Sequence, residues 1–275
     1  QVLAAAHVMD PLSGEPIYAD DEYRDLGLTL LLKDDSIADG RYVIHAYPES
    51  PQVWPYDQID SCPLEEQERQ VNQYGIDYIF INCNGQYTLT FKGAALAPVV
   101  PLDAHSGDFA FWSNRGDVSD MTLTKIFDFR NVEDSIQMDY WIWYDIEKDY
   151  DYVYLEISTD DGKTWEILTT QSGTAENPSG NSYGCGYNGY SGGRSTPKWI
   201  KETIDLSEYS GKEVALRFEY ITDAAVNGEG LLLDDIAINA AGYKTDFEQD
   251  GNGWKPEGFV RLYNRIPQTY RIVIV

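Results

Sequence analysis

The chain has 275 residues, a formal net charge of −26 and a sequence pI of about 4.2. So much negative charge repels nucleic acid and anionic membranes, which excludes both as partners, and no stretch reaches the ~20 apolar residues of a membrane-spanning helix. Because 43% of the residues are hydrophobic and 21 are tyrosine, the charge does not signal disorder, and the length suits one large β-domain or two smaller ones.

The first hundred residues predict a small β-rich module. Residues 1–20 start apolar, turn polar and form an incoming segment, and the module itself spans 21–100. Its first two strands are predicted at Leu26–Leu32 and Arg41–Ala46. Since the chain begins with Gln1 and no initiator Met, we expect a further domain upstream of it.

One short helix is predicted within this module, at Pro63–Tyr74. A proline opens it, acidic residues follow in its first turns, and Gly75 ends it. Two strands, Asp77–Asn82 and Gln86–Lys92, come next, and the Asn-Gly pair between them is typical of a β-hairpin turn.

The three cysteines contain no C-x-x-C pair. Cys62 and Cys83 bracket the predicted helix and the strand after it, so a disulfide between them would close a modest loop. The alternative is two buried thiols. Cys185 lies in a Gly/Tyr-rich loop and is left over.

Residues 101–242 predict an all-β sandwich of jelly-roll type, because short strands recur with turn residues between them. A long loop, 172–197, interrupts them. The predicted strands are Phe109–Ser113, Met121–Phe129, Ile136–Tyr144, Tyr152–Ser158, Thr164–Thr169, Trp199–Ile204, Glu213–Tyr220 and Leu231–Ile238.

The clearest hairpin joins Tyr152–Ser158 to Thr164–Thr169. Apolar and polar residues alternate along its first strand, and Asp161-Gly162 tolerates the positive φ angles of a tight turn. Its S-x-D-x-G-x-T-W spacing matches the Asp-box pattern of sialidases and many secreted β-domains. That spacing is specific for a hairpin and is a weak signal for any activity.

Residues 243–275 are too few to fold alone. Either they continue into a further module, or their strands complete the sheet of residues 25–95, which is the option we favour because an apolar strand should not stay unpaired.

Acidic residues cluster in three places and predict a structural Ca²⁺ site, since Ca²⁺ takes oxygen ligands. One of Asp234 and Asp235 must point inward by strand alternation. Two alternatives stay open: solvated turn charges with one carboxylate capping backbone amides, or a glycosidase pair. The candidate ligands are Asp117, Asp120, Asp145, Glu147, Asp149, Asp151, Glu229, Asp234 and Asp235.

No catalytic centre is predicted, since the sequence contains neither H-E-x-x-H nor G-x-S-x-G. The run Tyr140–Tyr144 is apolar on both faces, which favours a central strand over an aromatic platform for sugars. Tyr183, Tyr187 and Tyr190, on the long loop, are the preferred ligand-binding residues.

Several stretches together resemble the C-terminal, non-catalytic region of immune inhibitor A-type secreted metallopeptidases, which has a MAM-like jelly roll and a β-rich "VEG" module. The resemblance covers most of residues 102–261, and residues 1–100 match less distinctively. The stretches are Phe111–Asp117, Tyr144–Tyr152, the Asp-box hairpin, Trp199–Ser207, Val214–Tyr220, Gly228–Ile236 and Asp246–Arg261.

The resemblance implies an extracellular, Ca²⁺-supported β-domain that accompanies a zinc protease domain. Because this chain contains no zinc motif, no catalytic residue carries over. The favoured function is therefore to position a protease or to bind glycan or matrix protein. The alternatives are a self-associating module of an extracellular or cell-surface assembly and, last, a glycan-active enzyme.

Overall fold

The computed structural model separates the chain into two compact units, Gln1–Phe91 and Lys92–Val275. Residues 41–43 of the predicted strand at 41–46 are not in a strand. The rest of that strand, and residues 1–8 and 11–13 of the predicted incoming segment, lie outside the residues that the structure describes. Those residues are 9–10, 14–43, 53–55, 57–133, 135–193 and 195–275.

Within its described residues, the first unit contains the α-helix α1 (Ala19–Leu32) and a two-stranded parallel pair, β1 (Asp57–Ile59) and β2 (Ile79–Ile81). The predicted strand at Leu26–Leu32 is wrong, because these residues form the second half of α1. Three acidic residues lie in the first turn of α1, where the positive end of the helix dipole stabilises their negative charge. The Asp21 carboxylate also accepts the backbone N–H of Tyr18 at 3.1 Å.

The predicted helix at 63–74 is also wrong, since this segment has no regular secondary structure. Its apolar side chains, Leu64 and Val71, are exposed, and a short helix with no buried face has little to stabilise it. The predicted Gln86–Lys92 strand is likewise absent, because β2 pairs in parallel with β1 and forms no Asn-Gly hairpin. The predicted Cys62–Cys83 disulfide is present, with Cα atoms 5.9 Å apart.

The second unit is an all-β sandwich, as predicted. Its strands are β3 (Leu96–Ala97), β4 (Phe109–Trp112), β5 (Asp120–Asp128), β6 (Gln137–Asp145), β7 (Tyr152–Ser158), β8 (Glu166–Ile167), β9 (Ile200–Asp205), β10 (Glu213–Ile221), β11 (Gly230–Ile238), β12 (Tyr243–Thr245), β13 (Lys255–Glu257), β14 (Val260–Tyr263) and β15 (Ile266–Pro267).

Two antiparallel sheets form the sandwich. One has the order β13-β5-β10-β7-β8, and the other has the order β14-β4-β11-β6-β9 with β12 added beside β11. Alternate residues of the long strands face a shared core that includes Leu123, Leu155, Leu216, Phe218 and Leu233, all with an exposed fraction of 0%. This alternation is why the sequence located these strands closely.

The C-terminal strands differ from the prediction that they complete the sheet of residues 25–95. β12 pairs with β11, β13 with β5, β14 with β4, and β15 with β3. Trp254 and Phe259 enter the sandwich core of the second unit, whereas the apolar residues Ile272–Val275 at the end of the segment are exposed.

Strand β6 lies between β11 and β9 and is packed on both faces, as its aromatic run predicted. Tyr140, Ile142 and Tyr144 face the main core, whereas Trp143 belongs to a second cluster on the outer face of its sheet. The segment 99–106, which we call the strap, covers that cluster with Val100, Leu102 and Ala104.

The strap is fastened mainly by Asn264, which follows β14. Its Oδ1 accepts the backbone N–H groups of Val99 and Val100 at 2.8 and 2.9 Å. Its Nδ2 donates to the carbonyl oxygens of Val100 and Leu102 and to the Asp103 carboxylate. Arg265 adds two bonds to the same carboxylate, at 2.5 and 2.7 Å.

Candidate cation site

Three carboxylates converge at one end of the sandwich. Glu147 and Asp151 lie on the loop between β6 and β7, and Asp223 lies just after β10. Antiparallel pairing of Tyr152 with Ile221 places the start of β7 beside the end of β10, which brings Asp151 and Asp223 together. One oxygen from each of the three carboxylates lies within 4.8 Å of the others.

Asp151 is the buried member of this group, with 1% of the residue exposed. Its Oδ1 accepts the backbone N–H of Asp223 at 2.9 Å, and its Oδ2 accepts the Tyr220 hydroxyl at 3.3 Å. Burial, together with the charges of Glu147 and Asp223, raises the pKa of Asp151 to about 6 despite these two bonds. Negative charge is therefore under-compensated here.

The negative charge of Glu147 is also under-compensated. Its Oε2 is buried and has no hydrogen-bond partner among the residues that the structure describes. Burial and the charges of Asp223 and Asp117 raise its pKa above the ordinary value. A buried acceptor without a donor is costly unless a ligand satisfies it.

The donor set identifies the kind of ligand that fits. Three carboxylates supply hard oxygen donors, and neither a histidine nor a cysteine belongs to the group. Such donors suit Ca²⁺ or Mg²⁺ and not the borderline-soft Zn²⁺, which structural sites bind with sulfur and nitrogen. The group could therefore hold a hard divalent cation.

Four other predicted ligands lie around this end without joining the group. Asp117 accepts the Asn227 side-chain amide at 2.6 Å. Glu229 pairs with Arg115 at 2.5 Å. The burial of Asp145 and, to a smaller extent, the charge of Glu229 raise the pKa of Asp145. Asp149 has a positive φ of 70° in the β6–β7 loop.

Asp120, the first residue of β5, is likewise outside the group. Its charge acts on Glu219 of the adjacent strand β10. It therefore belongs to the outer face of the five-stranded sheet.

Asp234 and Asp235 were expected as cation ligands, and their contacts show a structural role. Asp234 is fully buried and accepts the backbone N–H groups of Ser106 and Asp235 at 3.0 and 2.7 Å. Asp235 lies 2.6 Å from His105 Nδ1 and accepts the Ser106 hydroxyl at 2.9 Å. Both carboxylates fasten the end of the strap, which matches the alternative of a carboxylate capping backbone amides.

The three loop tyrosines have different environments. Tyr183 is 73% exposed and Tyr190 is 44% exposed. Tyr187 is fully buried, with its hydroxyl 2.5 Å from that of Tyr140, so it lies in the core and not on a ligand surface. Its glycine-rich surroundings gave no alternating pattern from which burial could be predicted.

Asp223 is not among the ligands predicted from the sequence. It stands alone between Thr222 and Ala224, whereas the predicted ligands lay in acidic runs. The missing signal was sheet order: once β7 and β10 are paired as neighbours, the residues flanking them at this end, Asp151 and Asp223, must lie close together.

With this geometry established, comparison with known proteins defines the family. Residues 96–263 match the model of the immune inhibitor A-like MAM domain, and the chain belongs to that family. The match is to a MAM domain, a non-catalytic module, so the chain is not itself a peptidase.

Relatives include proteins that are named as proteases. Immune inhibitor A of Bacillus thuringiensis subsp. alesti is 36% identical over 154 residues, which are 54% of this chain and 20% of that protein. Pre-pro-metalloprotease PrtV of Vibrio cholerae serotype O1 is 29% identical over 56% of the chain and 16% of its own length. Bacillopeptidase F of Bacillus subtilis is 29% identical over 38% of the chain and 6% of its length.

The chain thus spans a fifth or less of the length of these relatives. Within the part of the chain that the structure describes, no helix has both the length and the apolar character needed to cross a membrane.

Proposed function

We propose that this chain is a non-catalytic, calcium-stabilised region of a secreted metallopeptidase-like protein that positions the protease domain. The observation that carries the proposal is the convergence of Glu147, Asp151 and Asp223 around a buried oxygen without a partner. The protease association is supported by the family match over residues 96–263 and by the similarity to two relatives, immune inhibitor A and the metalloprotease PrtV.

Calcium suits the site better than magnesium. Ca²⁺ accepts six to eight oxygen ligands in irregular geometry, whereas Mg²⁺ demands near-ideal octahedral coordination. The three carboxylates come from two separate loops, and one of them is already committed to a backbone amide and a hydroxyl. A cation that tolerates irregular geometry and completes its shell with water fits such a donor set.

Calcium binding would also explain how this end of the sandwich holds together. A cation shared by the β6–β7 loop and the segment after β10 would cross-link two loops that otherwise repel each other. We infer a structural role, since a ligand that binds only the folded state stabilises it by mass action.

Thermal unfolding measures this directly. Adding Ca²⁺ to chelator-treated protein should raise Tm, and Mg²⁺ should raise it less. Asp223→Asn should abolish the increase, whereas Glu257→Gln, at an exposed position on β13, should retain it. If Ca²⁺ leaves the Tm of both the wild type and Glu257→Gln unchanged, the calcium site is refuted, and the family assignment stays intact.

Positioning of the protease domain requires the whole parent protein. Asp223→Asn in that protein should lower the yield of folded, secreted peptidase, and Ca²⁺ in the medium should not restore it. Equal secretion and equal activity of the variant and the wild type would contradict a supporting role for this region.

A second function, contact with glycan or matrix protein, is favoured by the exposure of Tyr183 and Tyr190. Exposed tyrosines are effective amphipathic contact residues. Tyr183→Ser with Tyr190→Ser should remove binding on a glycan panel and to immobilised collagen or fibronectin. If the wild type binds none of these probes, this second function is excluded.

A further inference from the structure

A nearly buried group of charges lies on the outer face of the five-stranded sheet. It comprises Glu156 on β7 and Arg217 and Glu219 on β10, and the two glutamate side chains are only 7% and 11% exposed. One guanidinium nitrogen, Arg217 Nη2, lies 2.6 Å from Glu156 Oε2 and 3.0 Å from Glu219 Oε1. A single cation therefore serves two carboxylates, and the group carries an excess negative charge.

Among the described residues of the neighbouring strands, no further cation compensates this excess. On β5, the residues beside β10 are Thr122 and Thr124, with the acidic Asp120 at the strand end. On β7, Tyr154 is the register partner of Glu219.

Beyond β5, β13 places Lys255 next to Thr124 and Glu257 next to Thr122, and both of these side chains are exposed. Their opposite charges are screened by solvent and largely cancel. The three central charges must therefore balance among themselves.

Protonation of Glu219 resolves the imbalance. Burial, the Glu156 charge and the Asp120 charge raise the pKa of Glu219 to about 7, although Arg217 acts in the opposite direction. A protonated Glu219 donates a hydrogen bond to Glu156 and leaves one carboxylate for one guanidinium. When Glu219 loses its proton to solvent, that bond disappears and two negative charges compete for Arg217.

The group is also connected to the Asp-box hairpin. The Arg217 guanidinium carbon lies 4.1 Å from the ring centroid of Trp165, a cation–π contact at the base of the hairpin. The turn itself is tied by Asp160, which accepts the backbone N–H and the hydroxyl of Thr164 at 2.9 and 2.7 Å. The contact of Trp165 with the sheet thus depends on where Arg217 is held.

We propose that Glu156, Arg217 and Glu219 form a pH-responsive latch that holds the Asp-box hairpin against the sheet when Glu219 is protonated and loosens it when Glu219 is ionised. The direction follows from linkage: the folded state binds this proton more tightly than the unfolded chain, whose glutamate pKa is about 4.5. The stabilising effect is complete below pH 4.5 and is lost as the pH rises through about 7.

Urea denaturation between pH 5 and 8.5 tests the latch, at constant chelator concentration so that the cation site does not contribute. Asp151 and Asp234 titrate in the same range, and comparison with Glu219→Gln cancels them. The unfolding constant of the wild type, relative to the variant, should rise by up to roughly tenfold per pH unit below pH 7 and level off above it. Glu213→Gln, an exposed acid on the same strand, should keep the wild-type dependence.

Two measurements on the wild type make the outcome independent of how well the variant folds. Carbon-13 NMR of the glutamate carboxyls should show one that titrates near pH 7. Amide hydrogen exchange in residues 159–167, corrected for its intrinsic pH dependence, should accelerate above pH 7.5. Parallel pH curves for wild type and Glu219→Gln, or no glutamate carboxyl titrating above pH 6, would overturn the latch.

Discussion

Replacing Asn264 with alanine should destabilise the second unit strongly, because its side chain bonds four backbone polar groups of the strap. Asn264 is only 6% exposed. The substitution removes the acceptor of two backbone N–H groups, of which that of Val100 is buried, and the donor to two carbonyl oxygens. Leaving a buried polar group unsatisfied costs about 1–3 kcal/mol.

We expect a loss of about 3 kcal/mol, since two amides lose their partner and some of the carbonyl groups regain water. That is a large fraction of the ~5–15 kcal/mol by which a domain is stable. Urea denaturation gives the free energy, and hydrogen exchange should show the amides of Val99 and Val100 becoming unprotected. Asn252→Ala, at an exposed turn, is the matched control and should cost far less.

A loss below about 1 kcal/mol for Asn264→Ala, with the two amides still protected, would refute the reasoning. It would mean that Arg265 and the apolar contacts of the strap hold the segment without the asparagine.

Other substitutions test the core, the loops and the turn. Leu216→Ala removes a fully buried side chain from β10 and should cost about 3 kcal/mol in urea denaturation. Gly186→Ala would place a Cβ 2.8 Å from the Tyr154 ring and 3.2 Å from the Val153 carbonyl oxygen, so we expect a loss of about 1–3 kcal/mol and a lower Tm. Reducing the Cys62–Cys83 disulfide should lower the stability of the first unit by up to about 3 kcal/mol and leave that of the second unit unchanged, as separate calorimetric transitions would show. Hydrogen bonds from Thr164 lower the pKa of Asp160 to about 2, so hairpin protection in hydrogen exchange should fall as the pH drops from about 4 to 2, and Asp160→Asn should remove that dependence.

The strands of the sandwich could be predicted because the pattern that defines each strand lies within one short stretch of sequence. Along β7 and β10, every second residue is apolar, and burial of one face is enough to define a strand and its register. The Asp-box turn was equally local: Asp161 and Gly162 have φ angles of 60° and 79°, as a tight hairpin requires. Such signals survive without knowledge of the rest of the chain.

The first unit shows where local signals fail. The segment 63–74 has good helix-forming residues but no apolar face to bury, whereas 26–32 is an apolar run that suits strand and helix equally. The complete cation site could not be predicted for a different reason. Asp223 comes close to Glu147 and Asp151 only because β7 pairs with β10, and the order of strands in a sheet cannot be predicted from any single segment of sequence.

Pairing of β3 with β15 has a consequence for how the second unit is built into a polypeptide. The points at which the chain enters and leaves the sandwich are adjacent, so a longer protein could carry this unit at an internal position by diverting its backbone over only a few ångströms. Sequence added before Leu96 or after Pro267 would emerge on the same side of the sandwich. A module with neighbouring ends can be gained, lost or exchanged during evolution while the polypeptide on either side keeps its course.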